Sequence, residues 1–222
     1  MSKEAKLWDE LRSKGEHLTK YPYSSVISFV FRYSPKDRPR NLVKVLDLGC
    51  GIGNHLWFLA REGFDAYGVD FSEVSINKAR ELLREFGVTA KLALCDFTKE
   101  LPYDDQFFDL VIDRGSITCV SFSDAERVVS EVYRVLKNGG YFLFTPYSKR
   151  HGMYKEIGEE DKGFGMVVYN GYRLGLCFYG EEDILKLLDN SMWDICEMSE
   201  AISSDKIKDK VVASWTVIAK KR

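Results

Sequence analysis

Asp47-Leu48-Gly49-Cys50-Gly51-Ile52-Gly53 closes a β-prone run and opens a helix-prone one, and its reading decides the fold. The run Val43-Lys44-Val45-Leu46-Asp47-Leu48 reads as a strand and Asn54 to Arg61 as the helix behind it. Glycines at such a junction permit a tight turn and let a ligand approach backbone that a Cβ would block. A dinucleotide loop of the G-x-G-x-x-G kind would need its third glycine at position 54, where the chain has Asn54. The glycines fall instead at 49, 51 and 53, two residues after the acid Asp47.

Outward from this loop, short β-rich runs alternate with helix-length amphipathic segments, the pattern of a parallel sheet covered by crossover helices. Strand Ala66 to Asp70 completes a β-α-β unit. Helix Glu73 to Phe86, strand Ala90 to Cys95 and strand Phe108 to Asp113 continue it. Asp124 to Leu136 carries Val128, Val129, Val132 and Val135 at helical spacing, with Ser123 expected to cap its start and Asn138-Gly139 to end it. Strand Tyr141 to Thr145 stops at Pro146. Helix Glu181 to Leu188, strand Trp193 to Met198, a polar loop and strand Val211 to Ala219 close the chain. The last two strands lack a crossover helix between them and are expected to be antiparallel.

Two segments stand outside this alternation. Residues 1–40 offer an amphipathic helix (Ala5, Leu7, Trp8, Leu11) and a second apolar piece, Val26 to Phe31. Residues 147–179 hold Asn170-Gly171 between two β-rich runs, a type I′ hairpin signal. Both read as additions around one edge of the core.

Two further carboxylates follow strand ends. Asp70 ends the second strand, where an acceptor-only group can take hydrogen bonds from both hydroxyls of a ribose. Asp96-Phe97 follows the third, offering an acceptor for an amino group and a ring to lie against a flat base.

The motifs Asp47-x-Gly49-x-Gly51-x-Gly53, Gly68-Val69-Asp70-Phe71-Ser72, Cys95-Asp96-Phe97, Leu101-Pro102-Tyr103-Asp104-Asp105-Gln106-Phe107-Phe108-Asp109-Leu110-Val111 and Arg134-Val135-Leu136-Lys137-Asn138-Gly139-Gly140 stand in order between about residues 42 and 146. In this register the chain resembles the class I S-adenosylmethionine-dependent methyltransferases. The resemblance implies a Rossmann-like three-layer α/β sandwich whose seven-stranded, mostly parallel sheet has its last strand antiparallel. It implies one domain over 1–222: an N-terminal helical cap (1–40), a cofactor core (41–146), a substrate-lid insert with a hairpin (147–179), and a C-terminal helix with the closing strand pair (180–222). By the same resemblance Asp47 and the glycines Gly49, Gly51 and Gly53 border the methionine part of S-adenosylmethionine, Asp70 holds the ribose, Phe71 flanks the adenine, and Asp96 with Phe97 meets the adenine edge. Asp113-Arg114-Gly115-Ser116 would line the sulfonium side. Asn138 replaces the usual proline of the fifth motif, a departure in a turn.

Composition narrows the partners. The 222 residues are 45% hydrophobic and 30% charged with a formal charge of −2, and the basic residues are scattered, so no stripe suits a phosphate backbone. No apolar run approaches the ~20 residues of a membrane span, and the mixed-charge start lacks a signal-peptide core. Five cysteines without a Cys-x-x-Cys pair fit a reducing cytoplasm. The expected partner is therefore a small molecule, with neither nucleic acid nor membrane, and the chain a monomer or homodimer.

Methyl transfer from a sulfonium is an in-line displacement, dominated by orientation and exclusion of water. A hydroxyl acceptor would need a base, and outside the cofactor loops the candidates are His151 and Asp113. His151 follows the fifth strand's C-terminal end, whereas His17 and His55 are less favourably placed. Trp8, Tyr21, Tyr23, Tyr147, Tyr154, Tyr169, Tyr172 and Tyr179 either enclose a small substrate or form an auxiliary core or dimer face. The expected acceptor is O or N of a metabolite or sugar; a non-catalytic cofactor-binding protein is the alternative.

Overall fold

The computed structural model describes residues 3–15, 18–157, 164–169, 171–207 and 210–222. Its centre is a seven-stranded sheet built from β1 (Lys44–Leu48), β2 (Asp65–Asp70), β3 (Lys91–Leu94), β4 (Phe108–Asp113), β5 (Leu136–Phe144), β8 (Trp193–Asp205) and β9 (Lys210–Lys221), in the order β3-β2-β1-β4-β5-β9-β8. The first five run parallel, and β9 is antiparallel to both β5 and β8. The order reverses at β1 and β4, and open α/β sheets bind ligands beyond the strand ends at such a switch point.

Alternation along each strand sorts the core into two layers. Leu46, Val111, Phe142 and Phe144 face α5 (Phe122–Val135) and α6 (Glu181–Leu187). Val45, Leu110, Ile112 and Leu143 face α2 (Ser24–Tyr33), α3 (Asn54–Arg61) and α4 (Glu73–Glu85). The same parity turns Asp47 towards α3 and Asp113 towards the opposite face.

Local chemistry sets the ends. The Ser72 hydroxyl caps α4 by accepting from the Ser75 amide at 3.0 Å. For α5 the cap is Ser121, accepting from the Asp124 amide at 3.1 Å, rather than Ser123; Phe122 thereby becomes the first helical residue. Asn138-Gly139 does not end α5, which stops at Val135 with β5 following directly. Pairing passes from Phe108↔Leu136 to Leu110↔Tyr141, so Lys137 to Gly140 bulge out of β5, with Gly139 at φ 76°.

The additions meet each other. Helix α1 (Lys3–Ser13) and the antiparallel hairpin β6 (Phe164–Tyr169) and β7 (Tyr172–Cys177) share a small core of Leu11, Val167, Leu174, Leu176 and Phe178. Tyr169 pairs with Tyr172, the register of a two-residue turn; Asn170 itself, like His17, lies outside the described residues. The segment expected as a polar loop is largely strand: β8 and β9 stay paired from Trp193↔Lys221 to Asp205↔Lys210. In β8 residues 201–205 are exposed throughout, which removes the one-sided pattern that marks a half-buried strand, while in β9 Ala213 is buried. Among the described residues no helix is long and apolar enough to cross a membrane.

Candidate active site

The glycine loop takes a path that side chains resist: Gly49, Gly51 and Gly53 have φ of 67°, 52° and 81°. This turns the Gly51 amide onto Asp70 Oδ2 at 2.9 Å, while the Ser72 amide donates to Asp70 Oδ1 at 2.8 Å. Each Asp70 oxygen is thus fixed by one backbone donor and keeps lone-pair capacity for another. Burial raises the Asp70 carboxyl pKa, opposed by those two amides and by Arg12.

Asp47, 1% exposed, accepts on Oδ2 from His55 Nδ1 at 3.1 Å, and His55 is itself 4% exposed in the first turn of α3. His55 Nε2 is buried with no hydrogen-bond partner among the described residues. A carboxylate only accepts, so Nδ1 is the donor of the bond to Asp47. The Tyr23 ring lies 5.8 Å from that of His55, and the Arg114 guanidinium stands over Tyr23, 4.1 Å from its centre. Tyr23 is held there because its segment is pinned to α3: Asn54 Nδ2 donates to the Tyr21 carbonyl at 3.2 Å and Trp57 Nε1 to that of Lys20 at 2.8 Å.

These groups surround a cavity of about 480 Å³ running from the ends of β1 and β2 to the α1–hairpin cap. Among the expected residues, Asp47, Gly49, Gly51, Asp70, Phe71 and Phe97 line it, as do Arg114, Gly115 and Ser116. From the cap come Trp8, Tyr23 and Tyr147.

Four expected residues stand elsewhere. Gly53 turns the chain against α4, where an added Cβ would meet Ala79 Cβ at 3.1 Å. Asp96 is exposed and folded onto the Thr98 amide and hydroxyl at 3.1 and 2.7 Å. Asp113 is fully buried, its Oδ1 accepting from the Ser116 and Ile117 amides at 2.9 and 2.8 Å, and burial pushes its pKa up to about 6. Strand parity explains this: Asp113 faces away from the Asp47 side and anchors the loop that presents Arg114. His151 is buried outside the cavity lining. Its Nδ1 accepts from the Met153 amide at 3.2 Å, and its ring stacks on Tyr147 at 4.7 Å, with Phe178 at 5.7 Å. That geometry turns the imidazole into a cap and packing group, and burial lowers its pKa.

His55 and Arg12, by contrast, line the cavity and were not among the expected site residues. The signal for His55 was its place eight residues after Asp47, in the first turn of the helix that the glycine loop opens. Arg12 follows Trp8 by one turn of α1, so both share a face; burial lowers its pKa and Asp70 opposes that.

A family described as a methyltransferase domain matches residues 39–208, which spans the glycine loop, the whole parallel sheet and the hairpin. The chain belongs to this methyltransferase family. It is 37% identical over 103 residues to a sarcosine/dimethylglycine N-methyltransferase of Halorhodospira halochloris, covering 46% of this chain and 36% of that protein. The chain thus spans about a third of the length of the curated relatives it matches. A SAM-dependent methyltransferase structure from Methanosarcina mazei superposes with a TM-score of 0.74 at 21% identity, covering 90% of this chain and 98% of that one, a likeness of fold. A Pyrococcus horikoshii protein structure gives 0.69 at 26% identity, covering 89% and 88%.

Proposed function

We propose that the protein transfers a methyl group from S-adenosylmethionine to a nitrogen or oxygen of a small molecule enclosed beneath the α1–hairpin cap. The observation that carries this is the single cavity joining the Asp70 cradle to the cap. Its volume of about 480 Å³ lies within the range of small-molecule sites. The relative named for sarcosine and dimethylglycine favours nitrogen as the acceptor atom.

The residues present fit the cofactor. Asp70 offers its remaining lone pairs to a ribose diol, Gly49 and Gly51 leave room for the Ser116 side chain and the Arg12 guanidinium, and Phe71 and Phe97 border the base side. Arg12, on the α1 face of the same cavity, is the cation suited to an amino-acid carboxylate. When bound, S-adenosylmethionine supplies a methyl group on a sulfonium.

The chain's own work is to orient and to exclude water. Trp8 and Tyr147, with Leu174 and Leu176, supply apolar walls. Asp47 fixes the His55 ring, which stands in the cavity lining, whereas His151 is buried outside it. We keep residues 1–40 and 147–179 as substrate lids over a core of 41–146, closed by 180–222.

Purified protein incubated with methyl-labelled S-adenosylmethionine and metabolite extract should move label into small organic products. Label that stays on the cofactor while the protein binds it would favour a non-catalytic binding protein.

A further inference from the structure

Arg114 and Arg173 bring two guanidinium groups to the cavity lining. Arg12, Arg114 and Arg173 reach it from three different places, α1, the loop after β4 and β7, while Asp47 and Asp70 are the carboxylates among its lining residues. Those two acids are already engaged, Asp47 by His55 and Asp70 by the amides of Gly51 and Ser72. Among the described residues neither Arg114 nor Arg173 forms an ion pair with a carboxylate. Asp113, next to Arg114 in sequence, has its Oδ1 turned onto the Ser116 and Ile117 amides.

Arg114 is also preorganised. It sits over the Tyr23 ring at 4.1 Å, and Tyr23 is itself held through the anchorage of residues 20 and 21 to α3. Such stacking restrains a guanidinium while leaving its N–H fork for a planar anion. Apolar Leu174 and Leu176 in the same lining keep the dielectric low, which strengthens the contact between a guanidinium and an anion.

We infer that Arg114, with Arg173 at the exposed edge of β7, recognises an anionic group on the methyl acceptor, so that the substrate class is small amines or alcohols bearing a carboxylate or phosphate. This rests on the methyltransferase reading above. The geometry gives Arg114 the central contact and Arg173 a peripheral one, since Arg173 is exposed and Arg114 half-buried. Arg–carboxylate and Arg–phosphate pairs are the charge-assisted bonds suited to such recognition.

The test is methyl transfer from labelled cofactor to a metabolite extract split on an anion exchanger above the amine pKa. Acceptor activity is expected in the retained fraction. For that acceptor Arg114→Gln should raise KM by about tenfold or more with a smaller change in kcat, and Arg173→Gln should raise it less. Calorimetric affinity of Arg114→Gln for S-adenosylhomocysteine should stay within about threefold of wild type, which also shows that the variant is folded. Matched competitors, glycine against glycinamide and phosphoethanolamine against ethanolamine, assign the anion as carboxylate or phosphate. Acceptor activity in the flow-through, or an unchanged KM in Arg114→Gln, overturns the inference while leaving the methyltransferase reading intact. Cofactor binding without transfer to either fraction overturns the reading itself.

Discussion

At the scale of single residues, three side chains carry distinct expectations. Asp70 is the buried acceptor whose two oxygens are preset by the Gly51 and Ser72 amides. Asp70→Ala should weaken S-adenosylmethionine binding by more than about 1.5 kcal/mol, roughly tenfold in Kd, read by calorimetry on a variant whose circular dichroism is native. Asp113, with a pKa of about 6 in the fold, sits above the ~3.9 of an unfolded aspartate. Below about pH 6 the folded chain holds a proton that the unfolded chain has released, so this group lowers stability above pH 6 and the penalty fades as pH falls towards 4. Asp113→Asn, which keeps an oxygen for the Ser116 and Ile117 amides, should therefore lose about 2–3 kcal/mol of stability relative to wild type between pH 8 and pH 4. Parallel denaturant titrations at the two pH values would read it, and a pH-independent difference would contradict the assignment. His151, capping Met153 and packed on Tyr147, should cost about 1–2 kcal/mol of stability when changed to alanine. Turnover should fall far less than the roughly 10²–10⁴-fold of a lost general base.

At the scale of elements, the cap is the part expected to respond to ligand. Helix α1 is tied to the core by polar contacts: Asp9 accepts from the Ser72 hydroxyl at 2.6 Å and the Val74 amide at 3.3 Å. Its apolar face rests on the hairpin through Leu11, Leu174 and Leu176. Lids that order around ligand come from the less stable parts of a fold. Limited proteolysis within 1–40 and 147–179 should slow together when S-adenosylhomocysteine is added, and equal cutting with and without it would contradict a lid. The core elements were legible because strand and helix periods and turn residues agree locally. Asn54–Arg61 and Phe108–Asp113 match their expected bounds. The far half of β8 was not legible, since residues 201–205 are exposed throughout and show no one-sided pattern. The Asn138-Gly139 signal was misread because a positive-φ glycine serves a strand bulge as well as a helix end.

At the scale of the whole molecule, Asp47, Gly49, Gly51, Asp70, Phe71 and Phe97 stand in consecutive motifs after strand ends, so the family resemblance groups them, and all six line one cavity. Arg12, Tyr23, His55, Arg114 and Arg173 line the same cavity from five separate segments that meet only in the folded chain. No spacing rule joins them, and strand parity alone decides that Asp47 reaches His55 while Asp113 is turned into the opposite layer. The central claim is that this cavity is an S-adenosylmethionine site. Its most direct measurement is a calorimetric titration of the intact chain with S-adenosylhomocysteine and, separately, NADH. Saturable binding of one S-adenosylhomocysteine per chain, with no saturable heat from NADH, is the predicted result; no saturation with S-adenosylhomocysteine, or equal binding of NADH, would contradict it.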